Sequence, residues 1–146
     1  MRLADNPPQD MKDKVHQNVI NALRKDGWTI TADQLKVVWN QHRLLIDLGA
    51  EKVIVAQKEN RRIAVEIKSF LNSSEMDELY RALGQYIIYR RALRKKDPFR
   101  TLFLALDREA FAEHFAGPEG EALRVEEGIN LLVFDKATEE IVLWKQ

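Results

Sequence analysis

The strongest constraint on the fold is a nearly continuous apolar run at residues 100–106, Arg-Thr-Leu-Phe-Leu-Ala-Leu. A strand that faces water on one side alternates apolar and polar residues, whereas a strand covered on both faces is apolar at successive positions. We therefore expect this run to be a central strand of its sheet. The fold class that it predicts is α/β (α+β), a mixed β-sheet flanked by helices.

Two long segments have the periodicity of amphipathic helices. In residues 10–26, apolar side chains recur at three- and four-residue steps, and Gly27 follows at a common stop position. In residues 74–96, Ser74 and Asp77 form a capping-box pattern ahead of a similar apolar stripe, and Asp97 and Pro98 end it. A shorter helix is expected at about residues 108–116, before a charged connector whose conformation the pattern leaves open.

The remaining periodic segments predict strands. They are rich in β-branched and aromatic residues and are separated by polar turn residues. They comprise residues 28–31, 35–39, 44–47, 52–57 and 61–69 as an antiparallel meander, and residues 129–135 and 140–145 at the end of the chain. The predicted order is α-β-β-β-α-β-α-β-β, in a single domain over residues 11–146 that follows a disordered arm at residues 1–10.

Composition limits the classes of function. The 146 residues include no cysteine, which excludes disulfides and thiolate metal sites, and no apolar run approaches the length of a membrane span. The polar start has no signal-peptide core, so we expect a cytoplasmic protein. The 23 basic and 23 acidic residues balance, so any contact with nucleic acid must be local or shared with a partner.

The candidate for chemistry is a strand that carries a carboxylate and an amine on one face. Side chains alternate along a strand, so Glu66 and Lys68 point the same way while Val65 and Ile67 point to the opposite face. Asp47, upstream across an expected hairpin, can supply the second carboxylate that magnesium requires. Two acids and a lysine at a sheet edge are the minimum set for metal-assisted phosphodiester hydrolysis.

The pairing of the two strands determines whether these groups meet. A two-residue turn at residues 59–60 would place Glu66 opposite Val53 and Lys68 opposite Glu51. With that register a straight strand would leave Asp47 about 20 Å from Glu66. The chain would have to bend.

Gly49 is the residue type that permits such a kink or bulge beside Asp47. Without the bend, Glu51 is the better acidic neighbour of Lys68. A lone Glu-x-Lys is more often a surface ion pair, and that alternative predicts a purely structural role.

Other candidates lie on the helix that follows. Gln85 and Tyr89 are four residues apart on one face, where they are either packing residues or a polar pair that touches a phosphate or orients Lys68. The basic helix end at residues 90–96 fits the helix dipole, or alternatively a phosphate-binding patch. The three histidines have no ligand spacing, and no phosphate loop or nucleophile elbow occurs.

Asp47, Glu66-x-Lys68 and Gln85-x-x-x-Tyr89, in this order of elements, resemble the restriction-endonuclease-like PD-(D/E)xK nuclease superfamily. Longer stretches resemble the XisH family of excision-controlling factors for cyanobacterial DNA elements. These stretches are residues 14–19, 26–31, 46–52, 63–70, 82–86 and the closing 141–145.

The resemblance implies a restriction-endonuclease-like core in which Asp47 and Glu66 hold magnesium, or manganese as a substitute, together with the Ile67 carbonyl. It also implies that Lys68 stabilises or activates the attacking water. Gln85 belongs to the same motif. The first helix offers Asp10, Asp13, His16 and Gln17 but no glutamate as a further ligand. Implied partners are a small XisI-like protein, a site-specific recombinase and DNA, with a homo-oligomer as a further option.

Two classes of function therefore compete with the structural one. The first is an excision-controlling factor that hydrolyses phosphodiesters with magnesium. The second is a non-catalytic accessory that keeps the fold and acts by binding XisI or the recombinase, which the neutral net charge favours.

Overall fold

The structure is a computed structural model that describes residues 9–54, 59–70 and 75–146. Within these ranges the chain forms four helices and six strands. In chain order they are α1 (Gln9–Lys25), β1 (Thr29–Trp39), β2 (His42–Ile54), β3 (Glu59–Ile67), α2 (Glu75–Lys96), β4 (Thr101–Asp107), α3 (Arg108–His114), α4 (Pro118–Glu127), β5 (Leu131–Asp135) and β6 (Glu140–Lys145).

The described strands form one mixed sheet in which the spatial order equals the chain order, β1-β2-β3-β4-β5-β6. β1, β2 and β3 pair antiparallel, β3, β4 and β5 pair parallel, and β6 returns antiparallel to β5. β4 lies between two parallel neighbours and is buried at every position after Thr101. The apolar run at residues 100–106 is thus a central strand, as predicted.

Helices pack on both faces of the sheet, which gives two apolar cores. On one face, α1 covers β3, β4 and the closing strands, and Trp144 packs edge-on against Phe103 with ring centroids 4.9 Å apart. On the other face, α2 and α3 cover β1 to β5. The buried Tyr86 of α2 fixes this layer, because its hydroxyl donates to the Leu102 carbonyl and accepts from the Asn130 amide, both at 3.0 Å.

The strands of the first hairpins are longer than their sequence patterns predict. The two segments at residues 28–31 and 35–39 form one strand, β1, and those at 44–47 and 52–57 fall within β2, whose described part ends at Ile54. The separations were wrong because a bulge between Ile30 and Ala32 lets β1 continue through a polar stretch. Residues 55–58, between β2 and β3 in the sequence, lie outside the described residues.

The helices agree closely with their expected ranges. The charged connector contains α4, which begins at Pro118 and ends at Gly128 in the left-handed conformation, with φ of 66°. The expected arm at residues 1–10 and the Ser74 cap fall mainly on residues 1–8 and 71–74, which lie outside the described part. No helix in the described ranges is long and apolar enough to cross a membrane.

Candidate functional site

The register of β2 and β3 brings the two acidic residues together. Leu48 pairs with Val65 and Ile54 with Glu59, so that the next position along the ladder places Asp47 opposite Glu66. The expected pairing of Glu66 with Val53 was wrong, because residues 59 and 60 belong to β3, where Asn60 pairs with Val53. In this register Asp47 and Glu66 are neighbours on adjacent strands, and no bend of β2 is needed to bring them together.

Gly49 lies beside a bulge, as expected, but the extra residue is in the facing strand. Ile30 and Ala32 of β1 pair with Ala50 and Gly49, with a register shift between them. Gly49 itself pairs with Ala64, and its backbone angle φ is not positive. A Cβ at Gly49 would lie 3.1 Å from the Arg100 guanidinium and 3.4 Å from the Ala32 Cβ, so glycine permits the close approach of these groups.

Asp47 points along the sheet toward β3. Its Oδ2 accepts a hydrogen bond of 2.7 Å from the Ile67 amide, at the end of the ladder where the described β2–β3 backbone pairing has stopped. The amide and carbonyl of one strand residue point to the same edge, so the Ile67 carbonyl also points to the side of Asp47. The carboxylate thus takes the place of a backbone acceptor and is held beside Glu66.

Glu66 is a buried carboxyl group, with 5% of its surface exposed. Burial raises the pKa of Glu66 well above its ordinary value, its hydrogen bond to Asp47 and the negative charge of Asp47 raise it further, and Lys68 acts in the opposite direction. Two carboxyl groups form a hydrogen bond only when one of them carries a proton. The raised pKa favours the protonated form of Glu66 in the folded protein, and Glu66 Oε2 has no hydrogen-bond partner among the described residues.

Lys68 follows the end of β3 and keeps its side chain available. Its backbone amide donates to the Ala105 carbonyl at 3.0 Å, which continues the parallel pairing with β4. Its ammonium group forms no ion pair within 4 Å in the described part of the chain, although its charge favours the ionised form of Glu66. A lysine near two acids that forms no ion pair with the described residues can stabilise negative charge that develops there.

The helix α2 contributes a polar face to the same site. Burial raises the pKa of Tyr89 to about 12, and the negative charges of Glu66 and Asp47 contribute to that rise. Gln85, one turn earlier, has a buried Oε1 without a partner among the described residues. Tyr89 also packs against the core under α2, as Tyr86 does, so it combines the packing role with a position near the acids.

Sequence reasoning missed one acid on this face. Glu78 is buried, with 9% exposure, and precedes Gln85 by two turns of α2. Its spacing of seven and eleven residues from Gln85 and Tyr89 was the signal that could have identified it.

Several alternatives lie elsewhere. Glu51 pairs with Arg62 near the start of β3 and forms ion pairs with Arg100 and Arg62 at 3.6 and 3.9 Å, so the expectation that it faces Lys68 was wrong. The prediction paired Glu51 with Lys68 because it used the wrong register for β2 and β3. On the first helix, His16 contacts Asp33 at 2.8 Å.

Some basic side chains at the end of α2 form hydrogen bonds within the protein. Arg90 donates to the carbonyls of Glu127 and Gly128, both at 2.9 Å, at the carboxyl end of α4, and its guanidinium also lies over the Tyr86 ring. Lys96 donates to the Lys36 carbonyl. These contacts support the structural interpretation of this segment over the phosphate patch.

The donor set suits a hard cation with few protein ligands. No group of three His, Cys, Asp or Glu side chains converges among the residues described. Magnesium commonly binds one or two carboxylates and takes its other ligands from water and substrate phosphates. Asp47 and Glu66, with the unpartnered Oε2 of Glu66, fit that requirement.

Comparisons with known proteins identify the family. A family model described as XisH protein matches residues 9–142. Two solved structures are similar, each with 38% sequence identity, a TM-score of 0.82 and 92% of this chain covered. One is an XisH family protein from Nostoc punctiforme PCC 73102, matched over its full length; the other is an fdxN element excision controlling factor protein from Anabaena variabilis, matched over 99%. No match is found among curated proteins. The chain belongs to the XisH family.

Proposed function

We propose that this protein is an excision-controlling factor for a DNA element and that it hydrolyses phosphodiester bonds with magnesium at Asp47, Glu66 and Lys68. The first half of this proposal rests on the likeness to the excision controlling factor of Anabaena variabilis. The second half rests on one observation: the register of β2 and β3 places Asp47 opposite the buried Glu66, whose Oε2 has no hydrogen-bond partner among the described residues.

The carboxyl pair supports a metal site for an electrostatic reason. A buried carboxyl group that faces a second acid is an unfavourable place for a negative charge, and a divalent cation relieves that cost when it replaces the proton of Glu66. A structural ion pair, by contrast, would place the Lys68 ammonium within 4 Å of a carboxylate. No such contact occurs in the described part of the chain.

Each residue has a definite part in this proposal. Asp47 and Glu66 would hold magnesium, and the Ile67 carbonyl lies on the same side as Asp47. The ion would supply Lewis acidity toward a phosphate oxygen. Lys68 stabilises the negative charge that develops on the phosphate or holds the attacking water. Gln85 offers its buried amide group to the same space.

A second candidate is the non-catalytic accessory, which binds an XisI-like protein or a recombinase. The balance of 23 basic and 23 acidic residues favours it, because a protein that cuts DNA alone gains affinity from excess positive charge. The low exposure of Glu66 also favours it, since a substrate phosphate must reach this group or its metal.

Calorimetric titration of the protein with magnesium and manganese, together with cleavage assays on supercoiled plasmid and branched DNA, separates the two candidates. We expect metal uptake that Glu66→Ala abolishes. We also expect cleavage that Lys68→Ala reduces by about 10²- to 10⁴-fold without loss of the metal. Lys95→Ala, an exposed lysine near the end of α2, is the matched control and should leave both unchanged.

The enzymatic proposal fails if neither metal is taken up at millimolar concentration and wild type cuts neither DNA. In that case, binding of an XisI-like protein that Lys68→Ala leaves intact would support the accessory function. Cleavage that persists in Lys68→Ala at the wild-type rate would mean that a contaminating nuclease is responsible.

A further inference from the structure

The two-stranded ribbon formed by β1 and β2 reverses the faces of its side chains at one place along its length. In a regular strand, residues two apart share a face. Leu48 of β2 packs in the core under α1, yet Ile46 packs in the core under α2. The face of β2 therefore reverses across Asp47.

The opposite strand reverses at the same level. Asp33, the partner of Leu48, contacts His16 of α1, whereas Leu35, the partner of Ile46, packs against the core under α2. Between the pairs Asp33–Leu48 and Leu35–Ile46, each strand advances by two residues, so the reversal is not caused by an inserted residue. The ribbon as a whole rotates between these two pairs.

Gln34 lies at the centre of the rotation. It stands opposite Asp47, and its φ of 101° is far from the values of a regular strand. Residues other than glycine adopt positive φ rarely, and such positions persist only where the surrounding structure imposes them. Asn40 and Gln41 also have positive φ, but they form the two-residue turn between β1 and β2, where this conformation is expected.

The rotation explains the direction of the Asp47 side chain. Side chains of a regular strand stand nearly perpendicular to the sheet. The Asp47 carboxylate instead lies along the sheet and accepts from the Ile67 amide of β3 at 2.7 Å. The left-handed backbone of the facing residue supplies the twist that this orientation needs.

We propose that Gln34 is a positioning residue whose backbone conformation aims the Asp47 carboxylate at Ile67 and at the metal site. Its side chain is exposed, so its contribution comes from the main chain. The link to Ile67 stands on the geometry alone. The link to a metal rests on the proposed function.

Three variants test this proposal by amide hydrogen exchange at Ile67 in metal-free protein and by calorimetry with manganese. Gln34→Gly accepts positive φ without strain and should keep both properties of the wild type. Gln34→Val strongly disfavours positive φ and should flatten the ribbon. Gln41→Val is the matched control, because it places the same substitution at another positive-φ glutamine, far from Asp47 in the hairpin turn.

We expect Gln34→Val to accelerate exchange at Ile67 by about tenfold or more, since its acceptor moves away. We also expect it to weaken manganese binding by about 10- to 100-fold. If Gln34→Val does not fold, Gln34→Ala replaces it in the comparison with Gln34→Gly, because alanine also disfavours positive φ. Wild-type exchange at Ile67 in the folded Val or Ala variant would overturn the proposal, as would equal effects in Gln41→Val.

The two readouts separate this proposal from the proposed function. A wild-type protein that binds no manganese refutes the metal site, while exchange at Ile67 still decides whether Gln34 positions Asp47.

Discussion

Replacing Glu66 with glutamine should make the protein more stable at alkaline pH. The folded protein holds a proton on the Asp47–Glu66 pair at pH values where an unfolded chain, with an ordinary carboxyl pKa of 4.5, has lost it. Since the folded state binds more protons, the free energy of unfolding falls as pH rises. Glutamine imitates the protonated carboxyl group and has no proton to lose, so Glu66→Gln should escape this decline.

The size of the effect follows from the linkage between proton binding and stability. One group that is protonated in the folded state and ionised in the unfolded state changes stability by about 1.4 kcal/mol per pH unit. This slope applies from just above pH 4.5 up to the raised pKa of Glu66. Between pH 6 and pH 8 the difference in unfolding free energy between Glu66→Gln and wild type should therefore grow by up to about 2.7 kcal/mol.

Urea unfolding at several pH values measures this difference directly. Titration of all other groups affects both proteins and cancels in the comparison, provided that their denaturant slopes agree. Glu113→Gln, an exposed glutamate on α3, is the matched control and should follow the wild type at every pH. A stability difference that stays constant from pH 6 to pH 8 would refute the raised pKa of Glu66, and with it the electrostatic argument for the metal site.

Three further predictions test the site and its support. Magnesium should displace the proton of Glu66, so its affinity should rise with pH, and calorimetry in buffers of different ionisation enthalpy should detect up to one proton released. Tyr86→Phe removes a buried hydroxyl that both donates and accepts, and urea unfolding should show a loss of about 1–3 kcal/mol. Gly120→Ala should lower the melting temperature, because its Cβ would collide with the backbone of His114 and Phe115 at the end of α3. Gly84→Ala meets nothing within 4 Å on α2 and should stabilise by about 0.5–1 kcal/mol.

Periodicity was sufficient to predict the elements that surround the site. An apolar residue at nearly every position of β4 requires cover on both faces, and that requirement is local to the sequence. The placement of Glu66 and Lys68 on one face of β3 follows likewise from the two-residue period of a strand. The helical spacing of Gln85 and Tyr89 put them on one face of α2 for the same kind of reason.

The pairing of β2 with β3 could not be predicted in this way. The expected register, with Glu66 opposite Val53, and the observed register, which brings Asp47 to that position, differ by six residues. A slip by an even number leaves every side chain on its original face, so both registers have the same apolar pattern. Polar residues at 58–60 permitted a turn at more than one place.

The sequence by itself determined the positions of most helices and of the central strand β4, because these depend on short-range periodicity. Only the tertiary structure decided that Asp47 meets Glu66, that Glu51 does not, and that Ile46 and Leu48 face opposite sides of the sheet where the ribbon turns over at Gln34. These features depend on how segments distant in the chain pack on a common sheet. The raised pKa of Glu66 arises from the same packing, since its carboxyl group is buried beside Asp47.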